Sequence, residues 1–102
     1  FCCLQTNPFP VQDIVMTYRE QEGMTYIVTQ ASAEALGIEF EQSWAWISVD
    51  TTTQLNATGI TAHIATILGT HEISCNVVAA FHHDHLFVPF ELGSEALRVL
   101  RV

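Results

Sequence analysis

Two-residue alternation dominates the first third of the chain. Over residues 14–19, Ile14, Met16 and Tyr18 stand against Val15, Thr17 and Arg19. After a Glu20-Gln21-Glu22-Gly23 turn, alternation resumes over residues 24–29. Two period-2 runs about a glycine predict a β-hairpin. Val11, Ile14, Val15 and Tyr18 also fit a 3.6-residue stripe, so a helix over 11–21 competes; the alternation favours the strand. Residues 1–5 read as a short strand, and Thr6-Asn7-Pro8-Phe9-Pro10 as a rigid turn. Residues 31–36 form a short predicted helix that Gly37 stops at the usual capping place.

The second part of the chain changes period. Residues 44–49 read as a strand that is apolar on both faces, with Trp44, Trp46 and Ile47 inside, and Asp50-Thr51-Thr52-Thr53 as a polar loop. Ile60, Ile64, Ile67, Leu68 and His71 then recur at helical spacing, so the strongest helix runs over 58–71 with one stripe against a sheet. Thr58 is its expected N-cap, and Gly59 leaves backbone open to close approach. Residues 75–81 are a nearly unbroken apolar run, and 86–88 are its return arm, ended by Pro89; together they predict a buried hairpin with His82, His83, Asp84 and His85 at its bend. Ser94 caps a last helix whose Ala96, Leu97 and Leu100 face inward. Residues 44–102 thus read strand, helix, strand, strand, helix. Residues 1–37 read the same way with a loop in place of the first helix, a duplication of topology without a clear sequence repeat.

The 102 residues suffice for one domain, or two very small ones sharing a core. With 49% apolar residues and a mean hydropathy of +0.27, the chain as a whole is not disordered. Its stability margin is modest at this length, and dimerisation through a sheet edge or helix face is compatible with it. Eleven acidic residues against three arginines and no lysine give a net charge of −8. That excludes nucleic acid and anionic membrane surfaces as partners, since phosphate contacts need clustered cations. No stretch is long and apolar enough for a membrane span, and no signal pattern opens the chain. Cys2, Cys3 and Cys75 are odd in number, and the adjacent pair would point to opposite faces of a strand. A reducing cytoplasm is the expected compartment. The start at Phe1, without a methionine, implies further N-terminal sequence.

Candidate chemistry is sparse. His83 and His85 share one strand face and could chelate a metal with His63 or His71 as a third ligand, but the set is incomplete in sequence and clustered histidines commonly mark turns. His83 and Asp84 point to opposite faces and make a poor base and orienter pair. Cys75 lies in an apolar strand, where a thiol is inert. No phosphate loop and no Ser/His/Asp constellation is present, so catalysis and a cofactor are not expected. Trp44 and Trp46 share a face and read as core or interface.

Three segments together, Leu55-Asn56-Ala57-Thr58-Gly59-Ile60-Thr61-Ala62, Ile73-Ser74-Cys75-Asn76-Val77-Val78-Ala79 and His83-Asp84-His85-Leu86-Phe87-Val88-Pro89, resemble the ACT-domain superfamily. More narrowly they resemble small bacterial ACT-like proteins built of two intertwined units, and Arg19-Glu20-Gln21-Glu22-Gly23-Met24-Thr25 matches the first unit of these. The resemblance implies an α+β, ferredoxin-like βαββαβ fold with two units: a degenerate one over 1–40 and a complete one over 41–102. It implies a non-catalytic regulatory module that binds an amino acid or similar small metabolite at a unit interface. The residues carried over are Asn56, Thr58, Gly59, Ile60 and Thr61 at the loop and helix start, Asn76 and Val77 on the next strand, and Asp84 at the strand junction. Amides at Gly59-Ile60-Thr61 suit a ligand carboxylate, and Asp84 or strand carbonyls near Asn76 suit an ammonium. A structural dimerisation module without a small ligand, and a histidine metal site, are the alternatives.

Overall fold

A computed structural model describes residues 1–49 and 57–100 of the chain, which divide into two compact units, residues 1–43 and 44–102. Each unit carries one three-stranded antiparallel sheet.

In the first unit, β1 (Cys2–Leu4), β2 (Ile14–Glu20) and β3 (Gly23–Val28) stand in the order β1-β3-β2. The alternating runs become a hairpin because Gly23 turns the chain at φ 152°, a conformation that L side chains rarely adopt. The competing helical stripe survives only as one 3-10 turn, Val11–Asp13, and Val11 is 82% exposed. A register shift between Ile14 and Met16 marks a bulge at the start of β2. The loop between β1 and β2 contributes to the core rather than merely connecting: Phe9 is buried with its ring tilted against that of Tyr26, centroids 5.4 Å apart. Its N–H donates to Asn7 Oδ1 at 2.8 Å, which fixes the loop locally. Helix α1 (Gln30–Ala35) is capped by Thr29, whose Oγ1 accepts from the Ser32 N–H. It ends as expected at Gly37, φ 67°, where Gly37 N–H donates to Glu34 O and Ile38 N–H to Ala33 O. That is a Schellman motif.

In the second unit, β4 (Trp44–Val49), β5 (Asn76–Ala79) and β6 (Asp84–Pro89) stand in the order β4-β6-β5. The first strand, third strand and second strand lie side by side in both sheets, which is the strand order of a split βαβ unit written twice. Here the crossover is a 14-residue helix, α2 (Ala57–Thr70). It opens at Ala57, so Thr58 lies within its first turn instead of capping it. A 3-10 turn, Phe90–Leu92, leads into α3 (Gly93–Leu100). Ser94 is therefore already helical. Ala96 and Val99 turn inward, whereas Leu97 is exposed and Leu100 is half-buried at the margin. The α-helices cover one sheet face, where Ile64 and Leu68 of α2, Ile73, Leu86 and Val88 of β6, and Ala96 and Val99 of α3 form the core. Gly93 allows the close approach of α3 to β4: a methyl there would stand 2.9 Å from Ala45 Cβ. Helix α2 also ends in a Schellman arrangement, with Glu72 N–H donating to Gly69 O and Ile73 N–H to Leu68 O. The left-handed residue, at φ 58°, is Glu72 rather than glycine.

The apolar run over 75–81 is shorter as a strand than expected. Ala80 N–H donates to His83 O, closing a hairpin whose tip is Phe81-His82, and Phe81 is 95% exposed. Asp84 and His85 belong to β6 rather than to the bend.

Candidate functional site

The pleat of the second sheet sorts the candidate residues. Ala45, Ile47 and Val49 of β4 and Leu86 and Val88 of β6 belong to the helix side. Asp84, two residues before Leu86, therefore shares that side. It is half-buried, in register with Val49 on β4 and Ala79 on β5. Val49 is the last described residue of β4 before the chain passes to α2, so Asp84 stands at the sheet end from which the crossover departs. Among the described residues, none donates to its carboxylate, and the nearest ion pair in sequence, Arg98 with Glu95, engages the arginine of α3 elsewhere.

Gly59 lies in the first turn of α2, exposed, and a methyl there would meet nothing within 4 Å. The glycine is thus not required for close helix–sheet packing, and the backbone of that turn is open on this side. Thr61 follows, half-buried. Thr58 and Ile60 also lie in this first turn, their side chains outside the described residues, as is Asn56 and the polar loop before it.

The two candidates on β5 separate. Val77 is in register with Leu86 and packs against the core on the helix side, as Cys75 does. Asn76 is in register with Phe87 and exposed on the opposite face. Its register position lies three residues along the ladder from the Ala79–Asp84 pair, roughly 10 Å away at ~3.3 Å per residue. Within the second unit the fold therefore associates Asp84 with the α2 end of the sheet and directs Asn76 away from it.

The opposite face carries a cluster that alternation alone could not reveal. Trp46 Nε1 donates to His85 Nδ1 at 3.0 Å, and Ser48 Oγ lies 2.8 Å from the same nitrogen. The Trp46 ring stacks on Phe87, centroids 6.2 Å apart, yet Trp46 remains 54% exposed. Trp46 and Ser48 at i and i+2 were visible as a same-face pair; their meeting with His85 depends on the β4–β6 register.

Histidine chemistry at the tip is limited. The His83 and His85 rings stand 6.3 Å apart, edge to face, and among the described residues no group of three His, Cys, Asp or Glu is placed to hold a metal ion. Cys2, Cys3 and Cys75 are free thiols, and burial pushes the Cys2 thiol up from its ordinary value, away from the thiolate a nucleophile needs. No described helix is long and apolar enough to cross a membrane.

Comparison with known proteins agrees with this architecture. A family model described as an ACT domain matches residues 39–102, and a second ACT-domain model matches residues 1–45. A crystal structure of a Vibrio cholerae protein of unknown function, described as a possible transport protein, is similar at a TM-score of 0.83 and 34% identity. The similarity covers 97% of this chain and 77% of that one. No curated protein matches. ACT domains are in general regulatory, ligand-binding modules and typically non-catalytic. With one model spanning more than half of its length and another the remainder, the chain belongs to the ACT-domain family.

Proposed function

We propose that this protein is a non-catalytic regulatory module that binds an amino acid or a closely similar zwitterion at the α2 end of the second sheet. The observation that carries the reading is Asp84: a half-buried carboxylate on the helix side of the sheet, opposite Val49, with no donor among the described residues. A carboxylate in that position accepts a ligand ammonium in charge-assisted hydrogen bonds, each worth about 1.5–3 kcal/mol.

The ligand carboxylate needs donors that a lysine-free chain with three arginines supplies from its backbone. The first turn of α2 has N–H groups without an acceptor inside the helix and the positive end of the helix dipole, and Gly59 places no side chain there. Thr61 adds a hydroxyl close to that turn. Asn56, Thr58 and Ile60 complete the ligand set that the ACT resemblance suggests. Asn76 and Val77 take part only through an arrangement in which a different copy or unit presents that strand. Ligand binding regulates by stabilising one conformation or assembly over another, in proportion to its difference in affinity for the two. A homodimer is the assembly we favour, and the free thiols favour a reducing, cytoplasmic setting.

The experiment is a thermal-shift screen of the common amino acids and their analogues, followed by calorimetric titration of any hit. At least one should raise Tm progressively with concentration. Asp84→Asn should then weaken binding roughly ten- to a hundredfold, from the loss of one charge-assisted bond, and Gly59→Leu should weaken it by blocking the amides. If no zwitterion shifts Tm, the ligand reading is wrong; if one does and both variants bind it like wild type, the site lies elsewhere.

A further inference from the structure

The Trp46–Ser48–His85 cluster stands on the sheet face away from α2 and α3 and takes no part in the proposed ligand site. Three polar groups meet there at one atom. An indole N–H can only donate, so the 3.0 Å approach of Trp46 Nε1 requires a lone pair on His85 Nδ1. The neutral ring must then carry its proton on Nε2. A serine hydroxyl can donate or accept, so Ser48 at 2.8 Å accommodates either state of Nδ1. The two partners therefore respond differently when a proton arrives. Ser48 turns its lone pair toward the new N–H; Trp46 is left with donor facing donor.

We propose that this cluster is a proton-operated latch: a solvent proton taken up at His85 Nδ1 breaks the Trp46 hydrogen bond, keeps the Ser48 bond with its direction reversed, and frees the Trp46 indole. After the exchange the described contacts of the indole are with rings alone, Phe87 and His85. On β6, the same face presents His83, its ring 6.3 Å from His85, and Phe87, on which Trp46 stacks. On β5, Val78 stands opposite His85 and Asn76 opposite Phe87. On β4 the neighbours are Trp46 and Ser48 themselves. Among the described residues, His83 is the one other titratable group these strands place on that face; the Asp84 carboxylate lies on the helix side by the pleat. Trp46 is already more than half exposed, so the packing that opposes its release is its stacking on the buried Phe87. Imidazoles are the side chains that ordinarily change charge between about pH 5 and 8, which sets the range the test covers.

The test uses the full chain with Trp44→Phe, leaving Trp46 as the only indole. Nitrogen shifts of the His85 ring and the Trp46 Nε1 proton resonance are followed from pH 8 to pH 5, together with indole emission. Neutral His85 should appear as the Nε2–H tautomer. The Trp46 N–H should move upfield with the same midpoint as the His85 ring, and His83→Gln should leave that coupled transition in place. His85→Gln supplies a neutral acceptor and should abolish it. An Nδ1–H tautomer at high pH, a Trp46 signal that stays flat while His85 titrates, or a transition that survives His85→Gln would each overturn the proposal. Should Trp44→Phe fail to fold, fluorinated tryptophan in the wild-type sequence, assigned with Trp46→Phe, reads the same outcomes by fluorine resonance.

Discussion

The two units share a strand order and differ in what crosses between their first two strands. In the first, residues 5–13 cross as a loop with a single 3-10 turn; in the second, α2 crosses as a 14-residue helix. The loop buries one large side chain, Phe9, against Tyr26. The helix brings Ile64 and Leu68 onto a core that also gathers Ile73, Leu86, Val88, Ala96 and Val99. A three-stranded sheet of this order thus forms with a loop as its crossover, anchored by one buried aromatic. The proposed ligand site does not transfer so easily. A helix N-terminus suits an anionic ligand group, and the first unit has no helix between β1 and β2 beyond the 3-10 turn.

The distribution of aromatic reporters lets the comparison be broken experimentally. Trp44 and Trp46 lie in the second unit, and Tyr18 and Tyr26 in the first. Leu68 is fully buried at the centre of the α2 contact. Leu68→Ala should cost about 2–5 kcal/mol, the range for a buried leucine truncated in a core that cannot fully collapse. The check is denaturant unfolding followed by tryptophan emission. A cost below about 1 kcal/mol would mean that the α2 contact contributes little to the stability of its unit.

Next in size is Gly93→Ala. The new methyl would stand 2.9 Å from Ala45 Cβ, and neither partner is a flexible side chain that can swing aside, so α3 or β4 must shift. Overpacking of this kind costs about 1–3 kcal/mol. That loss exceeds the gain an alanine normally brings to a helix, so the net change is destabilising. The same substitution at Gly59, where nothing stands within 4 Å, should stabilise by up to ~1 kcal/mol from helix propensity alone. Opposite signs at two helical glycines of one unit, measured side by side, would establish that packing rather than propensity governs α3.

Much of this architecture was readable from residue types. The β2–β3 hairpin was legible from two strand-like runs about Gly23, whose φ of 152° is one that side chains rarely adopt. The stop at Gly37 was legible because a left-handed capping residue has a chemical preference. Phe9 was not, because nothing in Asn7-Pro8-Phe9-Pro10 distinguishes a loop residue that turns inward from one that points out; the Tyr26 contact that decides it is long-range. Phe81 failed for the converse reason: an apolar run does not say where the chain turns, and closure of the hairpin at Ala80 and His83 leaves Phe81 on the tip. At the candidate site, the residue pattern put Asp84 in the bend and the resemblance put it at a strand junction; it opens β6. The separation of Asn76 from Val77 follows from adjacency on a strand; which face each takes depends on the β5–β6 register, and a one-residue slip would exchange them.

The two Schellman ends sharpen the comparison at lower energy. Each unit closes a helix with the same pair of hydrogen bonds, but the left-handed position is Gly37 in one and Glu72 in the other. A side chain in that region costs about 1–2 kcal/mol, partly offset by the greater unfolded-state freedom of glycine. Glu72→Gly should therefore stabilise by ~1 kcal/mol, and Gly37→Ala should destabilise by a similar amount. Tryptophan and tyrosine transitions report the two changes separately. If Glu72→Gly is neutral or destabilising, Glu72 contributes something that its backbone geometry does not show.

The smallest expected effect concerns charge. In α3, Arg98 Nε donates to Glu95 Oε2 at 2.9 Å and its Nη2 to Oε1, a bidentate pair one helical turn apart. The Arg98 hydrogen bonds, with the guanidinium charge behind them, hold the Glu95 carboxyl below its ordinary range. A carboxylate whose folded value is depressed stabilises the fold above its unfolded value, and that contribution disappears as pH falls through the folded value. Acidification should therefore remove a small increment of stability from the second unit, and Glu95→Gln should flatten that part of the tryptophan-monitored stability–pH curve. Both side chains are open to solvent, so the increment should also shrink as salt rises toward 1 M, where screening shortens to about 3 Å. A pH slope that is insensitive to salt and survives Glu95→Gln would have to originate in a more shielded carboxylate.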